Sequence, residues 1–509
     1  MSVAGTAAAV PRRGAITLCV MMATIMQTID TTIANITLPH MQGSLSATLD
    51  QINWVLTSYI VAAAVMTPPT GWLADRLGRK RLFLITIAGF TTVSMLCGMA
   101  QTLEQMVAFR LLQGVFGAPL VPLSQAILLD SYPREKHGQA MAIWGLGVMV
   151  GPILGPTAGA YLTEFYNWRW VFYINLPVGI IAFLGLSAAL TERRAADLSP
   201  FDWFGFGALS LSVGALQLML DRGEQLDWFS SVEIMVEASL AVLGLYLFIV
   251  HSVTTERPFL DRRLFRDPNY ATSLIFTFLV GIILLATVAV LTPFLQNLMG
   301  LPITTAGLVL GPRGIGTMAA MLVIGRLVNV VDPRLLLALG FALLAASLWE
   351  MTGFTADVAL GTIVTNGALQ GIGLGLIWVP LSTIAFSTLT PALRTQGAAL
   401  VSLIRNLGSS TGISIMIYLL GRNTHVSHAE LVERITPFDG PLRALPPSSP
   451  WTLDSATGLA LLDQEIQRQA ATIAYINDFY LLMVVALIAM PLLVFLRPVP
   501  KGATGHIND

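Results

Sequence analysis

The chain has 509 residues, of which 55% are apolar and only 11% are Asp, Glu, Lys or Arg, against about 25% charged in an average soluble domain. So much apolar surface with so few charges excludes both a disordered chain and a water-facing globule, and a net charge of −1 leaves no basic field for nucleic acid. The two cysteines, Cys19 and Cys97, both lie in apolar runs, so they read as small core residues and exclude a disulfide scaffold. What remains is an all-α polytopic membrane protein, because a helix crosses a bilayer with about 20 apolar residues. Fourteen such stretches occur, at 14–38, 50–72, 82–100, 103–129, 138–162, 168–190, 201–220, 231–252, 270–293, 303–327, 334–352, 358–386, 394–420 and 476–496. Arg12-Arg13 ahead of span 1 resembles a signal-peptide start. The run behind it is too long and has no small-residue cleavage site, so it reads as a retained span. Span 7 is interrupted by glycine and serine around Gly205 to Gly214.

The loops alternate in charge. Nineteen of the 28 Lys and Arg fall on the side of the N-terminus, whereas the short loops opposite hold only Arg169 and Arg222. The long outer loop 422–474 is set apart, since loops of that length cross largely regardless of charge; helix-like pieces, His428–Arg434 and Leu459–Tyr475 leading into span 14, flank its Pro-rich middle, Pro441 to Pro450. The bias puts both termini in the cytoplasm and requires an even number of spans.

The chain also repeats itself. Gln113-Gly114 recurs as Gln370-Gly371, and Val121-Pro122-Leu123-Ser124 recurs as Val379-Pro380-Leu381-Ser382. Spans 1–6 match spans 9–14, with 7 and 8 inserted. The expected units are a six-helix bundle over 1–192, two inserted spans with linkers over 193–268, and a second six-helix bundle over 269–509. Two such halves imply a pseudo-twofold axis along the membrane normal and a site between them that opens to either side by rocking.

Five stretches carry a family resemblance. Gly71-Trp72-Leu73-Ala74-Asp75-Arg76-Leu77-Gly78-Arg79-Lys80 resembles the loop 2–3 signature of the major facilitator superfamily, and Arg110-Leu111-Leu112-Gln113-Gly114 its fourth-span motif. Gly147, Gly151-Pro152, Gly155-Pro156 and Gly159 resemble the fifth-span motif of its antiporters, with Thr157-Ala158 where a second glycine is common. Ile29 to Asn35 with Leu38-Pro39 resembles the first span of fourteen-span drug:proton antiporters. The loop residues Arg422-Asn423, His425, His428, Leu431 and Pro437-Phe438 are similar to the EmrB-type multidrug efflux pumps. The resemblance implies a tripartite pump in a bacterial inner membrane, exporting lipophilic compounds against protons with no other cofactor. A periplasmic adaptor and an outer-membrane channel would be its partners, and loop 422–474 the docking surface. It also implies contact between spans 1 and 4, and a latch on the inner side.

The residues themselves suggest roles. Asp30 lies about eight residues, or ~12 Å, below the outer end of span 1, and Arg110 lies at a matching depth in span 4. Burial disfavours a carboxylate charge and a facing arginine favours it, so the pair is the candidate for proton coupling; a static salt bridge is the alternative. Gly71, Asp75, Arg76, Gly78, Arg79, Lys80 and Asp130 are candidates for the latch, with Asp75 expected to cap or to pair with Arg76 or Arg79. The four-residue glycine spacing of span 5 makes a ridge for close helix approach, and span 10 offers a matching Gly307 and Gly311, then Gly314 and Gly316. Close packing there would tie the halves together. Candidates for the substrate cavity are Gln27, Trp54, Tyr59, Trp144, Arg313, Asn366, Gln370, Trp378 and Arg405. The two deep arginines either set the field of the cavity or belong to a satisfied hydrogen-bond network.

No catalytic or metal constellation is expected. Gly408-Ser409-Ser410-Thr411-Gly412 matches the nucleophile-elbow string but falls inside a span. His425 and His428 have no third ligand near them, and no phosphate-binding loop offers ATP drive. The competing readings are a proton-coupled importer of a small metabolite and a non-transporting membrane receptor.

Overall fold

The computed structural model describes residues 13–192, 200–328, 330–435 and 455–497, together with the backbone alone at a few positions inside helices, Pro156 among them. Pro437-Phe438, the Pro-rich 441–450 and the basic residues Arg12, Arg193, Arg194 and Lys501 lie outside that range. Among the described residues there is no strand. Thirteen helices among those residues are long and apolar enough to cross a membrane, and a bent pair supplies a fourteenth span.

In chain order the spans are α1 (Arg13–Ser44), α2 (Trp54–Met66 and Thr70–Leu77), α3 (Arg79–Met99), α4 (Leu103–Gly117 and Leu120–Ser131), α5 (His137–Phe165), α6 (Asn175–Ala189) and α7 (Trp203–Arg222). They continue as α8 (Val232–Thr254), α9 (Pro268–Pro293), α10 (Ile303–Leu327), α11 (Pro333–Met351), α12 (Leu360–Ser387), α13 (Arg394–Arg434) and α14 (Ala456–Leu492).

Local chemistry sets the boundaries. Asp267 and Asp332 accept the first free amides of α9 and α11, each just before a proline whose missing N–H costs nothing at that place. Pro68-Pro69 breaks α2 with a 61° bend, so the basic stretch that reads as a loop in the sequence is in fact a short helix, Thr70–Leu77. Gly78 then links α2 to α3 at φ +87°, where a side chain would be strained and would also meet the Glu192 carboxyl. The helix-like stretches of the outer loop prove to be continuous with the spans on either side. α13 runs unbroken for 41 residues and α14 for 37, about 60 and 55 Å at 1.5 Å per residue, against a bilayer core of about 30 Å. Both helices therefore project beyond the face opposite the N-terminus, the outer one by the charge bias of the loops, where His428 and Asp463 join them at 3.0 Å.

Two bundles result. In the first, α1 packs on α5 and α6, α2 on α4, and α3 on α4 and α6; in the second, α10 and α11 pack on α12, and α9 and α14 on α13. Glycine lets backbones touch in the second bundle: a Cβ at Gly408 would lie 2.3 Å from the Phe278 carbonyl, and one at Gly371 2.0 Å from that of Arg313. The inserted α7 touches both bundles. Its Gln217 and Leu220 bond Ser410 and Ser414 of α13, and its Asp221 accepts from Thr57 of α2. α8 packs on α7 and turns Val236, Leu243, Tyr246 and Val250 outward, as a lipid-facing helix should.

Candidate functional site

The first half is held together by a polar knot at Asp30. The side chain is 0% exposed. Arg110 of α4 donates to its Oδ2 at 2.8 Å, and Gln113, one turn further, donates to Oδ1 at 2.9 Å. Asn175 of α6 donates to the same Oδ1 at 2.9 Å and also to Ser94 of α3. The Arg110 guanidinium is satisfied in turn by the Val55 carbonyl of α2 and by Gln113, and it lies 4.3 Å from the Tyr59 ring centroid. Five helices of one bundle therefore meet at one carboxylate. Its charge is matched by one cation and two neutral donors, the requirement for an ion pair buried among apolar helices. Gln27, one turn along α1, is partly exposed and donates to the Tyr59 hydroxyl at 3.2 Å.

Sequence reasoning supplied Asp30, Arg110, Gln27 and Tyr59 but not Ser94 or Asn175. Their signal was a polar residue in an otherwise apolar outer half of spans 3 and 6. The knot lies inside the first bundle rather than in a void between bundles, so any movement of Asp30 has to be transmitted through α1 and α4.

The halves meet on the inner side at Asp130, at the end of α4. It pairs with Arg79 of α3 and, across the interface, with Arg394 at 2.7 Å. Arg79 also donates to the Pro391 carbonyl at 2.8 Å. Gly71 faces α13 so closely that a Cβ would lie 2.8 Å from that of Gln396. One expected pairing does not form. Asp75 forms no ion pair among the described residues, because Arg79 is taken by Asp130 and Arg76 lies over the Trp72 ring. Lys80 donates to the Ser187 carbonyl within its own half. Arg394, the cross-interface cation, was visible in the sequence only as an inner-side charge.

The glycine ridge of α5 also departs from expectation. Gly147, Gly151, Gly155 and Gly159 face α1, where added Cβ atoms would strike Met21, Thr28, Thr32 and Ile33. Thr32 donates to the Gly151 carbonyl at 3.0 Å across that contact. Pro152 and Pro156 stay within one unbroken helix. The motif thus binds α1, the helix of Asp30, rather than α10. α10 meets α5 through Gly325 on Ala142, Met321 on Gly145, and Gly314 on Ile153. Gly307 and Gly311 continue the same helical face toward the outer end, yet nothing lies within 4 Å of a Cβ there. The halves are therefore closed at the inner side and diverge at the outer side.

Within the closed part of the seam Trp144 of α5 stacks on Trp378 of α12 with centroids 6.0 Å apart, both rings buried, and the Arg405 guanidinium lies 5.4 Å from the Trp378 ring. Arg313 donates to the Leu284 carbonyl, and Gln370 is fully buried. Two cavity candidates lie elsewhere. Trp54 is 37% exposed beneath Arg222 of α7, on the outer flank of α2. Asn366 turns into the second bundle, bonding Ser347 and Glu350 of α11. Among the described residues no cluster of His, Cys, Asp and Glu is arranged to hold a metal.

The sequence profile of the Major Facilitator Superfamily matches residues 20–413. The chain is 36% identical over 505 residues to the fatty acid resistance protein FarB of Neisseria gonorrhoeae, covering 97% of this chain and 99% of that protein. It is 34% identical over 494 residues to the multidrug export protein EmrB of Escherichia coli, covering 96% of each. In fold it resembles the crystal structure of the human organic anion transporter MFSD10 (TETRAN), with a TM-score of 0.59, 14% identity, and 94% and 100% of the two chains covered.

Proposed function

The chain belongs to the major facilitator superfamily, and from that premise we propose that it exports lipophilic or amphiphilic toxic compounds in exchange for protons, by alternating access. The observation that carries the proton side is Asp30, a fully buried carboxylate whose three partners come from two other helices. A shift of α1 against α4 within the first bundle, set off when the halves rock apart, separates Asp30 from Arg110. The unpaired carboxylate then takes a proton, and re-forming the pair expels it.

The cargo side is supported by the names of the relatives and by the Trp144–Trp378 stack, an apolar pair across the closed seam with one guanidinium over it, which becomes a cavity wall when the halves part. Flat rings and a single cation suit amphiphiles of several shapes. The Asp130 bridge to Arg79 and Arg394 serves as the inner latch, with Gly71 allowing the close approach behind it. Asp75, Arg76, Gly78 and Lys80 shape the turn that carries Arg79. The bacterial inner membrane is the proposed location, with both termini cytoplasmic. The projecting ends of α13 and α14 are the proposed dock for a periplasmic adaptor leading to an outer-membrane channel.

Deleting the gene tests the direction of transport. Growth inhibition by lipophilic toxins is expected to appear at several-fold lower concentrations, with restoration by the intact gene. A deletion strain that instead requires a nutrient supplement and tolerates the toxins would mean an importer.

A further inference from the structure

The repeat that maps Gln113-Gly114 onto Gln370-Gly371, an offset of about 257 residues, also maps Arg110 onto Gly367 and Asp30 onto Thr287. The last helix of each half adds a fourth correspondence. Asn175 and Asp478 each lie about 14 residues, roughly 21 Å, from the inner end of α6 and α14 respectively. The second half therefore keeps the glutamine, loses the arginine, and carries its acid on its last helix instead of its first.

Asp478 is 1% exposed, and neither of its oxygens has a hydrogen-bond partner among the described residues. Gln370 is 0% exposed, and both its amide atoms are likewise unpartnered. In the first half the corresponding residues, Gln113 and Asn175, converge on one point, the Asp30 carboxylate.

α14 packs on α9, α11 and α13. α9 brings no charged side chain, and its Tyr270 bonds the Gly397 carbonyl at the inner end. From α11 comes Glu350, which accepts from Asn366, and from α13 comes Arg405, which lies over Trp378. α14 itself carries Tyr475 one turn away and Arg468, which faces Asp357 and Glu465. None of these pairs with Asp478 among the described residues. Beside it the end of α9 becomes a π-turn over Phe294–Leu298, and Phe294 packs on Tyr475 and Phe479 at 5.4 and 6.2 Å. Such turns recur where helices serve a function.

A carboxylate charge with no donor in such surroundings is far costlier than the neutral acid. We propose that Asp478 is a second proton-binding site, loaded in this inner-closed state and unloaded when α14 shifts against α9 and lets water or Gln370 reach it. The step is simple proton exchange: an O–H bond forms on one carboxylate oxygen with a proton taken from water, and the proton later returns to water. The inference rests on the proton-driven reading above, but does not require Asp30 to be the coupling acid.

The test is infrared difference spectroscopy of the full chain in lipid nanodiscs, stepped from about pH 9 to about pH 5 without any transported compound. A protonated-carboxyl band that titrates within this range is expected in the wild type and in Asp30→Asn. It should be lost in Asp478→Asn and displaced in Asp478→Glu, which reports on the site even where the asparagine variant fails to fold. A band unchanged by both substitutions at Asp478 would overturn the proposal. So would a band at this residue that persists unaltered across the whole range, since that marks a static neutral acid. Because no cargo is present, failure of this site is read separately from failure of the export reading.

Discussion

Replacing Asp30 by Asn is expected to cut proton-driven efflux to below about one-tenth of the wild-type rate, a barrier change of at least about 1.4 kcal/mol. Two effects must be separated. The asparagine cannot be ionised, so the exchange of a proton at this position ends. It also leaves Arg110 buried without a counter-charge, and breaking a buried pair from one side costs about 3–5 kcal/mol. Thermal unfolding of the purified protein measures the second effect. The double variant Asp30→Asn with Arg110→Gln removes the stranded cation and should recover most of that stability, because Gln113 and Asn175 can still donate to the asparagine oxygen. It should remain uncoupled. Full-rate efflux in well-expressed Asp30→Asn would reduce the pair to a structural brace.

Replacing Asp130 by Asn is expected to open the inner side. This residue links Arg79 of its own half with Arg394 of the other, and all three side chains are mostly buried. Partly buried ion pairs are worth more than exposed ones, so losing two of them shifts the balance between inner-closed and inner-open states by about tenfold or more. Spin labels at the exposed positions Arg76 and Thr390 report it, one on each half beside the seam. Wild type should give one short distance, Asp130→Asn an added longer one, and Asp130→Glu a distribution close to wild type. Equal distributions in all three would leave the closed state to the apolar contacts of α5 with α10.

How much of this was legible in the sequence follows from what each signal measures. Span number and helix type were legible because apolar run length answers directly to bilayer thickness. The polar knot was legible at its charged members alone. An ionisable residue inside an apolar run stands out, whereas Ser94 and Asn175 are cheap enough to be buried in many places, and only the packing of α3 and α6 shows that they serve Asp30. Glycine spacing announced a close helix contact but not the partner, so the α5 ridge was matched to α10 when it meets α1. A ridge of small residues fits any smooth helix, and the choice is made by the rest of the bundle. Arg394 was hidden for a similar reason: inner-side cations are abundant, and only the fold brings this one to Asp130. The helical ends of the outer loop were legible as His428–Arg434 and Leu459–Tyr475, but not the unbroken run of α13 through 422–427, because polar helix outside the bilayer lacks the apolar run that marks a span.

The central claim is that cargo moves outward in exchange for protons moving inward. Inverted membrane vesicles with an imposed pH gradient and a fluorescent lipophilic dye test it most directly. Dye should accumulate in the vesicle interior while that interior is acidic, and should leak back when a protonophore collapses the gradient. Accumulation that ignores the gradient, or that needs ATP, would contradict the account.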